Sequence, residues 1–469
     1  MPRPTGSGFL LADRPIGSLD DYLAVGGGRG LEQARGMTPP AIIDEVARSG
    51  LRGRGGAGFH TGTKWQAVLG GGGRHHYAVC NSAEGEPATF KDRALLRTNP
   101  YQVIEGLLIA ARAVEAIEAF VALKVSFERE LDALARALDE FDAAGLLEEL
   151  PVRIVQGPEE YLFGEEKALL EVIEGNDPLP RWLPPYLHGL FVTDPQMGWV
   201  AHDPEEGHSG DHEANPTLVN NVETLANVPH ILAKGADWFR SMGTAASPGT
   251  ILCTVVGDVP RCGVVEVEMG TPLQAVLDLC GGALPDRAIR SVLSGVANPA
   301  LTADKLGTPL SYEGMEAANS GLGAAGFVVY DDSACMVEVA RTVSRFLYVE
   351  SCGQCLPCKF GTEEVTGALD RLAAGDGTAE DLERIQARLT VVADGNRCFL
   401  PVQERRVVAS LMLLFPEDFA AHLEGPCPRP REIPIPKIVN LEDGRVTYDL
   451  RQARKRPDWT YEDEGPVRN

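Results

Sequence analysis

The chain has 469 residues, of which 43 are lysine or arginine and 67 are aspartate or glutamate, so its formal net charge is −24. A charge of this sign repels phosphate backbones and argues against a nucleic-acid partner. Hydrophobic residues make up 44% of the sequence, as in ordinary globular proteins, and the length indicates about three domains.

Residues 1–40 are glycine-rich and are predicted to form a loop-like N-terminal extension. The first residues lack the charged and then apolar pattern of a signal peptide, so we expect a cytoplasmic protein. The most apolar stretch, Ile104 to Val125, is interrupted by charged residues at helical spacing. It therefore predicts an amphipathic helix and not a membrane span.

A first domain is predicted over residues 41–240, and its most distinctive segment is the glycine-rich loop GLRGRGGAGFHTGTKW at residues 50–65. Glycines allow close approach of the backbone to a ligand, and Arg54 and Lys64 add positive charge, so the loop is predicted to cradle a phosphate. It contains GxGxxG, but a helix and not a strand precedes it. The loop therefore departs from the standard dinucleotide fingerprint.

Short apolar strands alternate with amphipathic helices in the rest of this domain, which indicates an α/β sheet covered by helices. The predicted strands are His76–Cys80, Ala119–Val125 and Val152–Val155.

A second domain is predicted over residues 245–332. A strand from Thr250 to Val256, a turn, a strand from Gly263 to Glu268 and a helix from Pro272 to Cys280 follow one another in the order of a β-grasp fold.

The third domain, residues 335–425, has helical periodicity throughout and is predicted to be a four-helix bundle. Its helices are expected at Met336–Phe346, Glu363–Ala373, Ala379–Val392 and Pro401–Leu414. Residues 426–469 are proline-rich and then strand-like, and we predict a tail that docks on a partner; a disordered tail is the alternative.

Four cysteines of the third domain have the spacing of an iron–sulfur site. Cys352, Cys355 and Cys358 lie in CGQCLPC, and Cys398 follows after a helical stretch. A tight triplet with one remote thiolate is typical of a [4Fe–4S] cluster, whereas zinc sites usually pair two separated halves; zinc remains the alternative. The other six cysteines are expected to be reduced thiols.

Five sequence blocks together resemble a family of flavoproteins, the 51 kDa-type or F subunits of NADH:quinone oxidoreductase (complex I). The same family occurs in NAD-reducing hydrogenases and NAD-linked formate dehydrogenases. The blocks are the glycine loop, VCNSAEGEPATFKDR at 79–93, YLFGEEKAL at 161–169, NPTLVNNVETL at 215–225 and ESCGQCLPC at 350–358.

The resemblance implies an α/β Rossmann-like FMN domain, a β-grasp domain of the SLBB type and a helical bundle that holds a [4Fe–4S] cluster. It also implies that non-covalent FMN is bound by residues of the first four blocks. These residues are Gly53, Arg54, Gly55, Lys64, Asn81, Glu84, Gly164, Glu165, Glu166, Asn220, Asn221 and Thr224.

By the same resemblance, Phe59, Glu86 and Tyr186 are expected to contact NAD(H) or NADP(H), and Glu86 and Glu166 are expected to be catalytic. The family usually has further nucleotide contacts where this chain has Ala67, Ala83 and Leu183. The loss of a stacking face and a cation predicts weak nucleotide affinity.

An apparent insertion follows Tyr186 and runs from His188 to His212. Its acid and histidine residues could bind a metal, but a solvated surface loop is the alternative that we favour.

Two functions therefore remain open. In the first, hydride passes between NAD(P)(H) and FMN, and single electrons pass through the cluster to partner subunits. In the second, the chain is an electron-relay or structural subunit with a degenerate nucleotide site. The expected partners are a thioredoxin-like [2Fe–2S] subunit and a larger Fe–S, formate dehydrogenase or hydrogenase subunit, which would hold the chain in the cytoplasm or at the cytoplasmic face of a membrane.

Overall fold

A computed structural model describes residues 8–12, 14–73, 75–148, 150–192 and 214–462. Most of the insertion after Tyr186, including His208 and His212, lies outside the described residues. Among the described helices, none combines the length and the apolarity needed to cross a membrane.

The N-terminal segment contains two short helices, α1 (Leu19–Ala24) and α2 (Arg29–Arg35), where the sequence predicts a loop. The cause is a tertiary contact with Glu105, whose side chain is fully buried. This carboxylate accepts hydrogen bonds from the Tyr22 hydroxyl and from the backbone N–H groups of Gly28 and Leu31. A buried carboxylate needs such donors, so the glycine-rich chain folds around it.

The first domain is built on a four-stranded sheet in the order β3-β2-β1-β4, in which all neighbouring strands are parallel. Its elements, in chain order, are α3 (Pro39–Ser49), α4 (Thr61–Leu69), β1 (His76–Asn81), α5 (Lys91–Thr98), α6 (Pro100–Ala113), β2 (Ala116–Lys124), α7 (Glu128–Ala143), β3 (Val152–Gly157), α8 (Glu166–Ile173), β4 (Thr217–Asn221), α9 (Val222–Lys234) and α10 (Ala236–Arg240). A 3₁₀ turn at Tyr161–Gly164 precedes α8.

The three predicted strands of this domain are confirmed, and β4 is an additional strand. The apolar stretch Ile104 to Val125 does not form one helix, because it divides between α6 and β2. Glu115, at φ 53°, lies in the left-handed region between them and ends the helical path.

The second domain is a five-stranded sheet in the order β6-β5-β9-β7-β8, and it confirms the β-grasp prediction. Its elements are β5 (Thr250–Gly257), β6 (Gly263–Glu268), α11 (Leu273–Leu279), β7 (Ile289–Ser294), β8 (Leu301–Thr302), α12 (Tyr312–Ala317) and β9 (Gly326–Asp331). Strands β5 and β9 are parallel, and the other pairs are antiparallel. The domain has a core of its own, in which Leu273, Val276 and Leu277 of α11 are fully buried.

The third domain has five helices, one more than predicted: α13 (Met336–Glu350), α14 (Leu356–Ala374), α15 (Ala379–Val391), α16 (Leu400–Leu414) and α17 (Pro416–Glu424). Helix α14 begins inside the cysteine motif, several residues before the predicted start. Pro357 stands in its first turn, where the missing N–H costs no helical hydrogen bond.

The C-terminal tail packs against its own chain. A hairpin of β10 (Ile438–Glu442) and β11 (Arg445–Tyr448) is followed by a 3₁₀ turn at Leu450–Arg454. Ile438 and Leu441 are buried in the main core, and the Arg93 guanidinium donates to the carbonyls of Ile438 (2.8 Å) and Val439 (3.1 Å). Contact of this tail with a partner stays a prediction.

An ion pair without solvent access fixes the tail at Lys455. The Lys455 ammonium lies 2.9 and 3.0 Å from the two carboxylate oxygens of Glu350, and both side chains are fully buried. Burial opposes ionisation of Glu350, but the positive charges of Lys455 and Lys437 outweigh it and hold the pKa of this carboxyl below its usual value. The pair joins the tail to the last residue of α13.

We predict that Lys455→Met destabilises the protein by about 3–5 kcal/mol, because it leaves the Glu350 carboxylate buried without its cation. Arg129→Met is the matched control, since Arg129 and its partner Glu442 are both more than half exposed. Thermal unfolding should show a clearly lower midpoint for Lys455→Met and almost no change for the control. Equal midpoints for the two variants would contradict the structural role of the pair.

Candidate active site

A cavity of about 190 Å³ lies where the three domains meet. The first domain contributes most of its wall, the second contributes Ala324, and the third contributes four residues. The lining residues are Gly55, Asn81, Ala83, Glu84, Gly85, Glu86, Thr89, Asp92, Tyr161, Leu162, Gly164, Glu165, Asn221, Ala324, Cys398, Phe399, Leu400 and Gln403.

Two asparagines form one edge of the cavity because they end neighbouring parallel strands. Asn81 ends β1, Asn221 ends β4, and the two residues are in register. The carboxyl ends of parallel strands are the usual ligand-binding edge of an α/β sheet. Asn81 donates to the Gly164 carbonyl (2.8 Å), and Asn221 donates to the Asp92 carboxylate (2.7 Å).

The glycine loop reaches the cavity through Gly55. A Cβ at this position would lie 3.1 Å from the Asn221 Cβ, a contact short enough that Asn221 would have to shift. The Arg54 guanidinium is buried and donates to the carbonyls of Pro248 and Thr250, and it does not line the cavity. Its predicted role at a phosphate stays a prediction.

Lys64 and Glu166, both expected at the flavin, form an ion pair of 2.6 Å. Neither residue lines the cavity. Asn220 and Thr224 also lie outside the lining and hold the loop in place. Asn220 accepts from the Trp65 indole (2.7 Å), and Thr224 accepts from the Arg54 N–H (2.8 Å).

Glu84 lies at the N-terminus of α5, where unpaired backbone N–H groups favour an anion. Its carboxylate accepts from the N–H groups of Asp92 (3.2 Å) and Arg93 (3.3 Å) and also pairs with the Arg93 guanidinium. Burial, together with the nearby Asp92 carboxylate, nevertheless raises the pKa of Glu84.

Glu86 connects all three domains through its carboxylate. It accepts from the Tyr161 hydroxyl (2.5 Å) of its own domain and from the Val296 N–H (2.8 Å) of the second domain. Gln403 of α16 donates to Tyr161 (2.6 Å) and approaches Glu86 itself (3.5 Å). Burial raises the pKa of Glu86, although these donors partly offset the effect.

Glu165 caps the N-terminus of α8 and lines the cavity beside Gly164. It accepts from the N–H groups of Lys167 (2.9 Å) and Ala168 (3.0 Å). Burial raises its pKa to about 7, so the protonated and ionised forms of this carboxyl coexist near neutral pH.

Phe59 and Tyr186, the aromatic residues expected at the nucleotide, have exposed fractions of 57% and 37%. Neither lines the cavity, so the structure does not bring them together with Glu86. An adjacent nucleotide site formed by these three residues stays a prediction.

Cys352, Cys355, Cys358 and Cys398 line a second, smaller cavity. Cys352 and Cys355 lie in the connection between α13 and α14, and Cys358 lies in the first turn of α14. Cys398 precedes α16. The two cavities share three lining residues, Leu162, Cys398 and Leu400, so only one layer of side chains separates them.

The residues present fit both cofactors implied by the sequence. Arg54 Nε and Thr61 Oγ1, in the glycine loop and at the start of α4, are buried polar atoms without a hydrogen-bond partner, and both lie behind the lining of the cavity. At the second cavity, Ser351 contacts the Cys358 sulfur (3.4 Å) and Gln354 donates to the Cys352 sulfur (3.6 Å). Donors to sulfur are typical of iron–sulfur ligands.

Sequence reasoning missed several cavity residues. Tyr161 stands at the start of a recognised block, so its hydroxyl could have been considered. Gln403, Ala324 and Val296 belong to other domains and follow no motif, and only the domain arrangement brings them to Glu86 and the cavity.

Three protein families match successive parts of the chain. Residues 46–230 match the Nuo51 FMN-binding domain, residues 252–293 match the SLBB domain, and residues 338–422 match the NADH-ubiquinone oxidoreductase-F iron-sulfur binding region.

Relatives that align over most of their length agree with these matches. The chain is 37% identical over 422 residues to the HndC subunit of the NADP-reducing hydrogenase of Solidesulfovibrio fructosivorans, with 88% of this chain and 82% of the relative covered. It is 37% identical over 426 residues to the F 2 subunit of the NADH-quinone oxidoreductase of Rhizobium meliloti, with 88% and 96% covered. A crystal structure of an NAD⁺-reducing [NiFe]-hydrogenase in the H₂-reduced state aligns with a TM-score of 0.75 and 32% identity over 87% of this chain and 67% of that chain.

We predict that Gly55→Val abolishes flavin binding, because the added side chain meets Asn221 inside the cavity wall. The purified protein should contain iron and sulfide but no FMN by absorbance and by extraction. Gly307→Val is the control, since a Cβ at Gly307 would meet no atom within 4 Å. Full FMN occupancy in Gly55→Val would mean that the loop does not bind flavin.

We predict that Cys398→Ser removes one corner ligand of the cluster. The reduced protein should lose its [4Fe–4S] paramagnetic resonance signal or show a three-iron form. Cys262→Ser, a half-buried cysteine of the β-grasp domain, should leave the signal unchanged. An unaltered signal in Cys398→Ser would overturn the assignment of the fourth ligand.

Proposed function

The chain belongs to the family of F-type flavoprotein subunits of NADH-quinone oxidoreductases and related hydrogenases, and from this premise we propose which of its residues perform the reaction. The main observation behind the proposal is that Cys398 lines both the cavity at the three-domain junction and the four-cysteine cavity.

FMN bound in the first cavity would exchange a hydride with a pyridine nucleotide and release the electrons singly to a [4Fe–4S] cluster in the second. We assign the flavin to the cavity lined by Gly55, Asn81, Gly164 and Asn221. The backbone of the glycine loop, with Arg54 Nε and Thr61 Oγ1, would provide phosphate donors. The cluster ligands would be Cys352, Cys355, Cys358 and Cys398.

Two cavity carboxyl groups have different tasks in this proposal. Tyr161 and the Val296 N–H hold Glu86 in one orientation. Its carboxylate would accept a hydrogen bond from a hydroxyl group of the nucleotide ribose. Glu165, with a pKa raised to about 7 by burial, would hold or release a proton beside the flavin. Glu166 is the weaker candidate for catalysis, because it pairs with Lys64 outside the lining.

Leu162 and Leu400 join Cys398 in the layer between the two cavities. Both leucines are buried at 2% exposure or less and exclude water from this layer. This layer would provide a short path without water for single-electron transfer from the flavin to the cluster.

The curated relatives are named as subunits, and this supports a place for the chain in a larger redox complex. We propose a thioredoxin-like [2Fe–2S] subunit and a larger iron–sulfur, formate dehydrogenase or hydrogenase subunit as partners. A cytoplasmic location, free or at the face of a membrane through those partners, is part of the same proposal.

We predict that Glu86→Gln lowers kcat/KM for NADH-dependent reduction of an artificial acceptor by about ten- to a hundredfold, the effect of losing one hydrogen bond to a charged group. Glu166→Gln is the matched comparison, and this variant should change kcat/KM by less than threefold. FMN and iron content measured on both variants controls for cofactor loss. An equal loss in both variants would refute the different roles assigned to the two glutamates.

We predict that NADH bleaches the flavin in anaerobic stopped-flow mixing but saturates only at high concentration, because Ala67 and Leu183 cannot supply a stacking face and a cation. Parallel mixing with NADPH identifies the preferred nucleotide. If neither nucleotide reduces a flavin that dithionite does reduce, the relay function is correct and the dehydrogenase function is not.

A further inference from the structure

A second group of soft ligands lies outside the cavities that hold the proposed flavin and cluster. Cys335, His422 and Cys427 each direct one ligand atom into a space where these atoms are within 4.8 Å of one another. Cys335 immediately precedes α13, and the cluster motif follows the opposite end of the same helix. Since 15 residues of helix rise about 22 Å, this group is far from the iron–sulfur site.

The histidine of this group is held in one tautomer. His422 Nδ1 lies 2.7 Å from the Asp418 carbonyl oxygen, which can only accept a hydrogen bond. Nδ1 therefore carries the proton, and the lone pair of Nε2 faces Cys335, whose sulfur is 3.6 Å away. A carbonyl behind the other ring nitrogen is the usual support of a metal-ligating histidine.

Both cysteines receive backbone donors that favour the thiolate. The Cys335 sulfur accepts from the N–H groups of Val337 and Glu338 in the first turn of α13, and the Cys427 sulfur accepts from the Arg429 N–H. Burial acts in the opposite direction and raises the pKa of both thiols. Both cysteines are therefore neutral thiols in the metal-free protein, and a cation that binds here displaces their protons.

We propose that Cys335, His422 and Cys427 bind a zinc ion. In a tetrahedral site with Zn–S of about 2.3 Å and Zn–N of about 2.0 Å, neighbouring ligand atoms lie about 3.5–3.8 Å apart. The Cys335–His422 distance of 3.6 Å agrees with this geometry. Thiolate and imidazole ligands in such a set select zinc among the common divalent ions.

Cys427 is the most accessible of the three ligands, because it is half-buried whereas Cys335 and His422 are fully buried. The described residues offer three ligand atoms, and water would complete the coordination. On binding, each thiol that is still protonated releases its proton to solvent, and no oxidant or reductant is needed.

The surroundings give the ion a structural task. Asp418, four residues before His422, accepts from the Met336 N–H at the start of α13, from Arg290 of the β-grasp domain and from Arg429 of the tail. The zinc site thus lies at a junction of the helical domain, the β-grasp domain and the C-terminal tail. It would hold the first and last helices of the bundle together at the end remote from the cluster.

The test is the metal content of the full chain, purified anaerobically with its cluster and measured by inductively coupled plasma mass spectrometry. Wild type should contain about one zinc per chain besides its iron. Cys427→Ser should lose that zinc, keep its iron and FMN, and unfold at a lower temperature. Cys262→Ser and the cluster variant Cys398→Ser should both keep it.

X-ray absorption at the zinc edge gives a second readout that needs no variant. Two sulfur ligands with one imidazole nitrogen would support the site, and a four-sulfur shell would place the zinc in the cluster cysteines and overturn it. Wild type without zinc, zinc that survives in Cys427→Ser, or a Cys335–Cys427 disulfide in the anaerobic protein would each refute the proposal.

Discussion

The carboxylate of Glu86 is the contact on which the arrangement of the candidate site depends. It is buried, and a buried carboxylate must be satisfied by donors that the fold supplies. Those donors are the Tyr161 hydroxyl and the Val296 N–H, with Gln403 behind them, and they come from three separate domains. The domains therefore meet at this carboxylate, which lines the cavity at their junction.

A chain of polar contacts connects the cavity with the tail. Glu84 lines the cavity and pairs with Arg93, and the same guanidinium holds the backbone of Ile438 and Val439. Lys455 adds a buried ion pair with Glu350, immediately before the cluster motif. Each of these charges is costly to bury alone, so the tail, the walls of the cavity and the cysteine motif stabilise one another.

The cluster domain carries soft ligands at both ends. At one end are the four cysteines, of which Cys398 also lines the cavity at the three-domain junction, and at the other are Cys335, His422 and Cys427, beside the β-grasp domain and the tail. Helix α13 connects the two. A close-packed helix is stiff along its length. A metal ion bound at the remote end of α13 would therefore help to fix the position of the cluster relative to the flavin.

The sequence by itself determined the cofactor chemistry and the domain order, since cysteine spacing, glycine-rich loops and strand or helix periodicity are local properties of the chain. It predicted the β-grasp hairpin, the helices of the bundle and the four cysteines that the structure brings to one cavity, Cys352, Cys355, Cys358 and Cys398. It could not foresee that Glu86 lines the cavity and Glu166 does not, or that Glu105 would fold the N-terminal segment into two helices. Those outcomes, like the approach of Gln403 to Glu86, depend on side chains far apart in sequence, and only tertiary packing decides which of them share a buried space.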